Sequence, residues 1–313
     1  MKRLYLAWFA ILLTTVMWAT SLILAKIVYA EITPILFVAL RYTIASPFLI
    51  SLVLLSKKRT ENLQNSRIYW KSILLAGFFG PFLSQVLQYI GLGMTSAGET
   101  LLLLNMSPVF AVVLAAPLLK EPITYDKIGG LLLATFGVSF IVLGGAPIDS
   151  GFGLLRIAGD LIVIVSTFLF ALNGIAGKIA VGGVDSTSVT AFSTIFAVPF
   201  IWISAIIFED ISILLHLSPL VWIVMLWVGI VNSVISFIFY YESMKYIEAS
   251  RVQIALNLIA VWGIIMSVLI LGEPTTILQI SGGILTIIGV VIAQKRLNGR
   301  KIGEITQNDS HKL

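Results

Sequence analysis

The stretch Glu121-Pro122-Ile123-Thr124-Tyr125-Asp126-Lys127-Ile128-Gly129-Gly130, running on to Gly137, has a second copy in Glu273-Pro274-Thr275-Thr276-Ile277-Leu278-Gln279-Ile280-Ser281-Gly282, running on to Gly289. Glu, Pro, Thr and the outer glycines recur at a fixed spacing of 152 residues. The same spacing, without a gap, carries the match outward. Lys26 meets Lys178, Pro47 meets Pro199, Trp70 meets Trp222, Gly77 meets Gly229, Ser84 meets Ser236, Tyr89 meets Tyr241, Ala97 meets Ala249 and Asn105 meets Asn257. Apolar coincidences mean little in so hydrophobic a chain, but coincidences of Trp, Lys, Asn, Glu and Pro at one offset mean much more. The chain is a duplication, with residues 1–150 as the first copy and 151–313 as the second.

Composition says what solvent the copies meet. Of 313 residues, 58% are hydrophobic and 11% charged, with a mean hydropathy of +1.03. A soluble domain carries roughly 25% charged residues. This chain has too little polar surface to coat a globule in water, so its solvent is lipid. Apolar runs long enough to cross a core of about 30 Å fall near 4–29, 33–55, 72–93, 96–118, 128–145, 157–180, 187–208, 219–243, 250–271 and 277–294. Lipid cannot satisfy open strand edges, so helices are expected. The runs do not alternate as the strands of a barrel would. The first run is too long for a signal peptide's apolar core and no small-residue cleavage site follows it, so it is read as a retained helix. The fold class expected is an all-α polytopic membrane protein of ten transmembrane helices.

Each copy holds five helices, an odd number, so the second copy enters the membrane inverted. Loop charge gives the orientation. With the N-terminus in the cytoplasm, seventeen of the twenty lysines and arginines fall inside, Arg156 falls outside, and Lys26 and Arg41 lie within or at the ends of helices. That asymmetry also accounts for the net charge of +5 without an acidic partner. The reading is a multi-pass protein of the cell (inner) membrane with both termini cytoplasmic. Inverted repeats are a recurring build of secondary carriers, because the symmetry supplies two nearly equivalent packings, one open to each side. Duplication also builds channels and scaffolds.

Ala97-Gly98-Glu99, Asn105-Met106-Ser107-Pro108, Glu121-Pro122-Ile123-Thr124, Gly130 and Gly137-Val138 occur in the order of the EamA-type repeat of the drug/metabolite transporter superfamily, which this chain resembles. The second copy gives Ala249-Ser250-Arg251, Asn257, Gly272-Glu273-Pro274, Gly282 and Gly289-Val290. Trp18-Ala19 and Arg41 resemble that family's first repeat. The likeness spans about residues 4–297. Two positions depart from the pattern: Lys120 stands where a Gly usually precedes the Glu, and Ala260 where a Pro would mate with Pro108. The resemblance implies export or exchange of small metabolites, such as amino acids, from a cavity between the repeats.

Polar groups inside a membrane are costly and mark function by default. Near the midplane these are Ser84 and Gln85, Asn105, Asn173, Asn232 and Ser236, and Asn257, with Tyr89 and Tyr241 further toward the outer and inner ends. Trp18, Gln85, Tyr89, Asn105, Tyr241 and Asn257 are the expected substrate contacts. Interhelical glue explains the asparagines equally well, and interfacial anchoring is the plain role of the tyrosines. Charges bracket the neutral midplane: Lys26, Arg41 and Glu99 outward, Lys178, Glu242 and Arg251 inward. Snorkelling to the headgroups accounts for Lys26 and Lys178. Arg41, Glu99, Glu242 and Arg251 are the expected gating charges, Glu99 pairing with Arg41 or Lys26 and Arg251 with Glu242. Thr124 and Thr276 are placed to cap helices 5 and 10, Gln279 completing a capping box. Pro47, Pro81, Pro108 and Pro199 are read chiefly as kinks, and Pro81 and Pro108 can also free carbonyls toward a cavity.

With no cysteine, thiolate chemistry, disulfides and cysteine metal sites are excluded. Both histidines, His216 and His311, fall in loop or tail, and no His-Glu-x-x-His occurs. An intramembrane enzyme would need a nucleophile and base, paired carboxylates or a metal triad inside the bundle, and that is the weakest alternative. A flippase or a multidrug efflux protein of the same build is the nearer one. The expected partners are a small-molecule substrate and the lipid bilayer, with no nucleic acid, no cofactor and no metal, in a monomer or weak homodimer. Single cysteines placed in this cysteine-free chain report sidedness: those at 57–71 should resist a membrane-impermeant maleimide in intact cells and react once the membrane is opened.

Overall fold

The computed structural model describes residues 2–95, 100, 103–145, 153–266 and 276–294. These residues are helical, with no strand among them. In chain order the long elements are α1 (Lys2–Val28), α2 (Pro34–Leu55), α3 (Trp70–Met94), α4 (Ser107–Leu119), α5 (Tyr125–Gly145), α6 (Leu154–Ala180), α7 (Ser186–Phe208), α8 (Pro219–Met244), α9 (Ala249–Met266) and α10 (Ile277–Ala293). Eight are long and apolar enough to cross a membrane; α4 and α10 are shorter apolar helices. A polar surface helix, Arg59–Ile68, joins α2 to α3.

The duplication is legible in the contacts. α5 and α10 cross antiparallel on glycine. A methyl added to Gly137 would lie 2.5 Å from the Thr286 nitrogen and 2.6 Å from the Gly282 carbonyl oxygen, while Gly130 faces Gly289 in the mirrored contact. Small residues let helix backbones approach this closely where lipid supplies no hydrophobic drive. At the crossing the Thr286 hydroxyl donates to the carbonyls of Gly282, at 2.9 Å, and of Ala134, its own repeat mate, at 3.4 Å. Trp18 and its mate Phe170 touch edge to face, with ring centroids 5.7 Å apart. Lys26 Nζ donates to the carbonyls of Leu92, at 2.7 Å, and Thr95, at 3.2 Å, and Lys178 Nζ to their mates Met244 and Ile247. Both lysines therefore satisfy carbonyls at the C-terminal ends of α3 and α8, where the helix dipole favours a cation.

Four interruptions of helix geometry also come in mated pairs. α3 widens to a π-helix over Phe78–Ser84 and α8 over Val228–Ile235. In α3, Pro81 has no N–H to offer the Ala76 carbonyl five residues back, which accepts instead from Asn173 Nδ2 at 2.8 Å. In α8 the mate of Pro81 is Ser233, whose hydroxyl donates to the Val228 carbonyl at 2.9 Å. The other pair corrects the continuous runs expected from the sequence. The helix breaks into a turn at Asn105–Met106 before α4, and α9 breaks at Leu256–Asn257. Pro108 explains the first, because it has no N–H for the Leu104 carbonyl four residues back and is tolerated in the first turn of α4. The second holds without a proline: Asn257 N–H bonds the Ile254 carbonyl at 3.2 Å and Ala260 N–H the Asn257 carbonyl at 3.2 Å, a tightened turn.

The expected caps form. Thr276 accepts from Gln279 N–H at 3.2 Å while Gln279 Oε1 accepts from Thr276 N–H at 3.0 Å, and Thr124 accepts from Lys127 N–H at 3.3 Å. Lys120, which replaces the usual Gly, is left-handed at φ 55°, the only non-glycine with positive φ among the described residues, and lies exposed just after α4. A Cβ in that region costs about 1–2 kcal/mol. Lys120→Gly should therefore raise the melting temperature of the purified protein, read by tryptophan fluorescence, without changing its elution volume.

Candidate functional site

The two helix breaks meet at one place. Around them a cavity of about 90 Å³ opens between the halves, lined from α1, α2, α3, the α4 break, α6, α8 and the α9 break. That is room for several water molecules. Aromatic rings of Trp18, Phe170 and Phe237 form one wall, and the amides of Gln85, Gln88, Asn105, Gln253 and Asn257 punctuate the rest. Arg41 is the one charged side chain of the lining.

Arg41 is 2% exposed, and its partners among the described residues are all neutral. Its Nε donates to Ser233 Oγ at 2.5 Å, one terminal nitrogen to Tyr89 OH at 3.0 Å and Gln85 Oε1 at 3.1 Å, and the other to the Asn232 carbonyl at 3.2 Å. The π segment of α8 exposes that carbonyl, which also accepts from Trp18 Nε1 at 3.1 Å. Asn232 Nδ2 in turn holds the Met17 carbonyl at 2.7 Å. Among the described residues no carboxylate lies within ion-pair distance of Arg41. On the opposite side, Asn257 is 2% exposed and its Nδ2 has no hydrogen-bond partner among the described residues.

The expected substrate contacts separate into two groups. Trp18, Gln85, Tyr89, Asn105 and Asn257 all line the cavity. Tyr241 does not: it is fully buried beyond it, accepting from Asn173 Nδ2 at 2.7 Å with its ring packed against Gly177. Sequence reasoning missed Ser21, Gln88 and Gln253, and placed Arg41 at a gate. Gln253 Nε2 donates to Tyr240 OH at 2.9 Å, and Ser21 shares a 2.6 Å hydrogen bond with Tyr89. The signal for Gln253 was available, since it stands one turn before Asn257 on α9 and so shares its face.

The gating charges also sit differently. Arg251 pairs with Glu248, Nε to Oε2 at 2.7 Å, and not with Glu242. The three-residue spacing within one helical turn favours that partner. Glu242 instead accepts from Ser186 Oγ at 2.7 Å and pairs with Lys245 at 2.6 Å. Glu99 lies outside the described residues. Around Arg251 a buried chain of alternating charge closes the end of the bundle that carries the basic loops. Glu121 accepts from the N–H groups of Ala249, at 2.7 Å, and Ser250, at 3.2 Å, and from the Ser250 hydroxyl, so it caps α9. Lys127, 1% exposed, spans Glu121 at 3.4 Å and Glu248 at 2.8 Å. Arg251 reaches across to the Ala293 carbonyl at the end of α10. Two anions and two cations, Glu121 and Glu248 against Lys127 and Arg251, leave no net charge, and the chain ties the end of the first copy to the second. Among the described residues no cluster of metal-ligating side chains occurs.

Residues 6–143 and again 157–294 match the EamA-like transporter family. The chain belongs to that family. Similar curated proteins are an uncharacterized transporter, YyaM, of Bacillus subtilis, 26% identical over 86% of this chain and 87% of its own, and an uncharacterized transporter of Archaeoglobus fulgidus, 28% identical over 90% and 94%. A solved crystal structure of another protein, 19% identical, has the same fold, with a TM-score of 0.74 over 95% of this chain and 98% of that one. The EamA-like chain is thus a membrane transporter by family.

Burial pushes the Glu248 carboxyl up, but hydrogen bonds and charge from Lys127 and Arg251 outweigh it and hold the group below its ordinary value of 4.5. A folded-state value below the unfolded one stabilises above the unfolded value, and that contribution is lost as pH falls through the folded one. Glu248→Gln should therefore melt below wild type at pH 7, and the gap should close as the pH is taken below about 4.5. An unchanging gap would assign the loss to shape and not to charge.

Proposed function

We propose that this EamA-like transporter is a secondary carrier with ten transmembrane helices in two inverted repeats, both termini cytoplasmic, which exports or exchanges a small organic solute by alternating access. Amino acids and related metabolites are the class the amide and aromatic lining suits. The single observation that carries this reading is a polar cavity between the copies, backed at the basic end by the ion chain of Glu121, Lys127, Glu248 and Arg251.

The mated contacts support the exchange of states. On the cavity side Tyr89 bonds Ser21; on the sealed side their mates Tyr241 and Asn173 bond each other. Opening the basic end would exchange the two environments, so that Tyr241 meets the solute in the state where Tyr89 is packed. Asn105 and Asn257, at the two helix breaks, would face the solute in both states. Repacking is cheap here because the hinge positions already lack regular helix bonds, and because the ion chain trades protein partners for water at modest net difference.

Counterflow of labelled amino acids and related metabolites into proteoliposomes identifies the solute. With it, Asn105→Ala should raise KM several-fold, the effect of a lost hydrogen bond of about 0.5–1.5 kcal/mol. Tyr241→Ala should raise KM while its elution volume and melting profile stay those of a folded protein. Unchanged kinetics in both variants would leave these residues a packing role only.

A further inference from the structure

Arg41 has an internal control. Its repeat mate is Ser193, 1% exposed on α7, which lies beside the Tyr241 hydroxyl as Arg41 lies beside that of Tyr89. The two helix pairs are otherwise built alike, with the lysine caps, the π segments and the tyrosine bonds all mated. A serine therefore does the packing at this position in the second copy. The fold does not call for a cation there, and one buried without a carboxylate is costly.

What surrounds the guanidinium points to what it meets. Among the described residues of the lining it is the only charge, and none of them is a carboxylate. Four of the five guanidinium N–H groups hold protein acceptors, and the one left over can donate to a carboxylate oxygen as a charge-assisted bond. The unpartnered Nδ2 of buried Asn257 is a further donor on the same cavity. Trp18 and Phe170 supply an apolar face for the rest of the molecule. A solute whose only charge is an ammonium, by contrast, finds no counter-charge among the described lining residues.

Resting on the carrier reading above, we propose that Arg41 is the anion-binding residue of the solute site and that the solute carries a single carboxylate, as a monocarboxylate or an α-amino acid, and is not an organic cation. One cation matches one negative charge; a phosphonate dianion would be left half-neutralised.

The test is thermal stabilisation of the full chain in detergent by matched skeletons: acetate, lactate, benzoate and phenylalanine against benzamide, benzylamine and methylphosphonate. Stabilisation should be confined to the carboxylates. Arg41→Gln should weaken it at least tenfold, Arg41→Lys should retain part of it, and Glu99→Gln should leave it in place. Counterflow of any carboxylate that stabilises would separate the two readings. Arg41-dependent binding without counterflow would fail the carrier and keep the anion site. Four results would overturn the anion site: no stabilisation by any carboxylate, equal stabilisation by the amide or amine, stabilisation by methylphosphonate alone, or equal loss in Arg41→Gln and Glu99→Gln, which would make Arg41 the ion-pair partner of Glu99. The ligand pattern of the wild type stands even where a variant fails to fold.

Discussion

Every backbone N–H and C=O inside lipid must find a partner within the protein. In this molecule the regular helix bond is given up at four places, and each time something specific replaces it. Asn173 takes the Ala76 carbonyl that Pro81 leaves open, and the Ser233 hydroxyl takes that of Val228. Trp18 and Arg41 share the Asn232 carbonyl. Because Asn173, Trp18 and Arg41 come from other helices, the π segments are also joints by which helices are held together. The cavity lies at the two helix breaks, where the irregular backbone leaves space and polar groups side by side.

The two ends of the bundle are held by different chemistry from its middle. Toward the basic end, charge is neutralised inside the protein by a chain in which every ion has an opposite partner. In the cavity, charge is left over. A group that must let go during a transport cycle is better held by several moderate bonds than by one deep one, and the neutral partners of Arg41 meet that condition. π segments and helix breaks add to it, as such irregularities recur at functional positions.

Near-symmetry makes the departures from symmetry informative. Lys26 and Lys178, or Trp18 and Phe170, hold equivalent places and do equivalent work. Arg41 and Ser193 hold equivalent places with different chemistry, as do Pro81 and Ser233. In the second case the difference is compensated, the Asn173 amide answering the Ala76 carbonyl that Pro81 cannot reach and the Ser233 hydroxyl answering that of Val228. For Arg41 the first copy contains no compensating charge among the described residues.

Much of this was legible in the residues alone. Periodicity, loop charge and the 152-residue offset determined a helical membrane protein in two copies, and the spacing of Thr276 and Gln279 determined a cap, because these are local properties of chain and solvent. Trp18, Gln85, Tyr89, Asn105 and Asn257 stood out as polar or amphipathic groups in an apolar background, and packing brings them together. Tertiary structure alone decided which partner each charge takes. Arg251 turned to Glu248, Glu121 reached across to cap α9, and Arg41 faced the cavity through a carbonyl exposed by a π segment in another helix. Those outcomes depend on distances between segments far apart in sequence, and hydropathy and spacing contain no record of them.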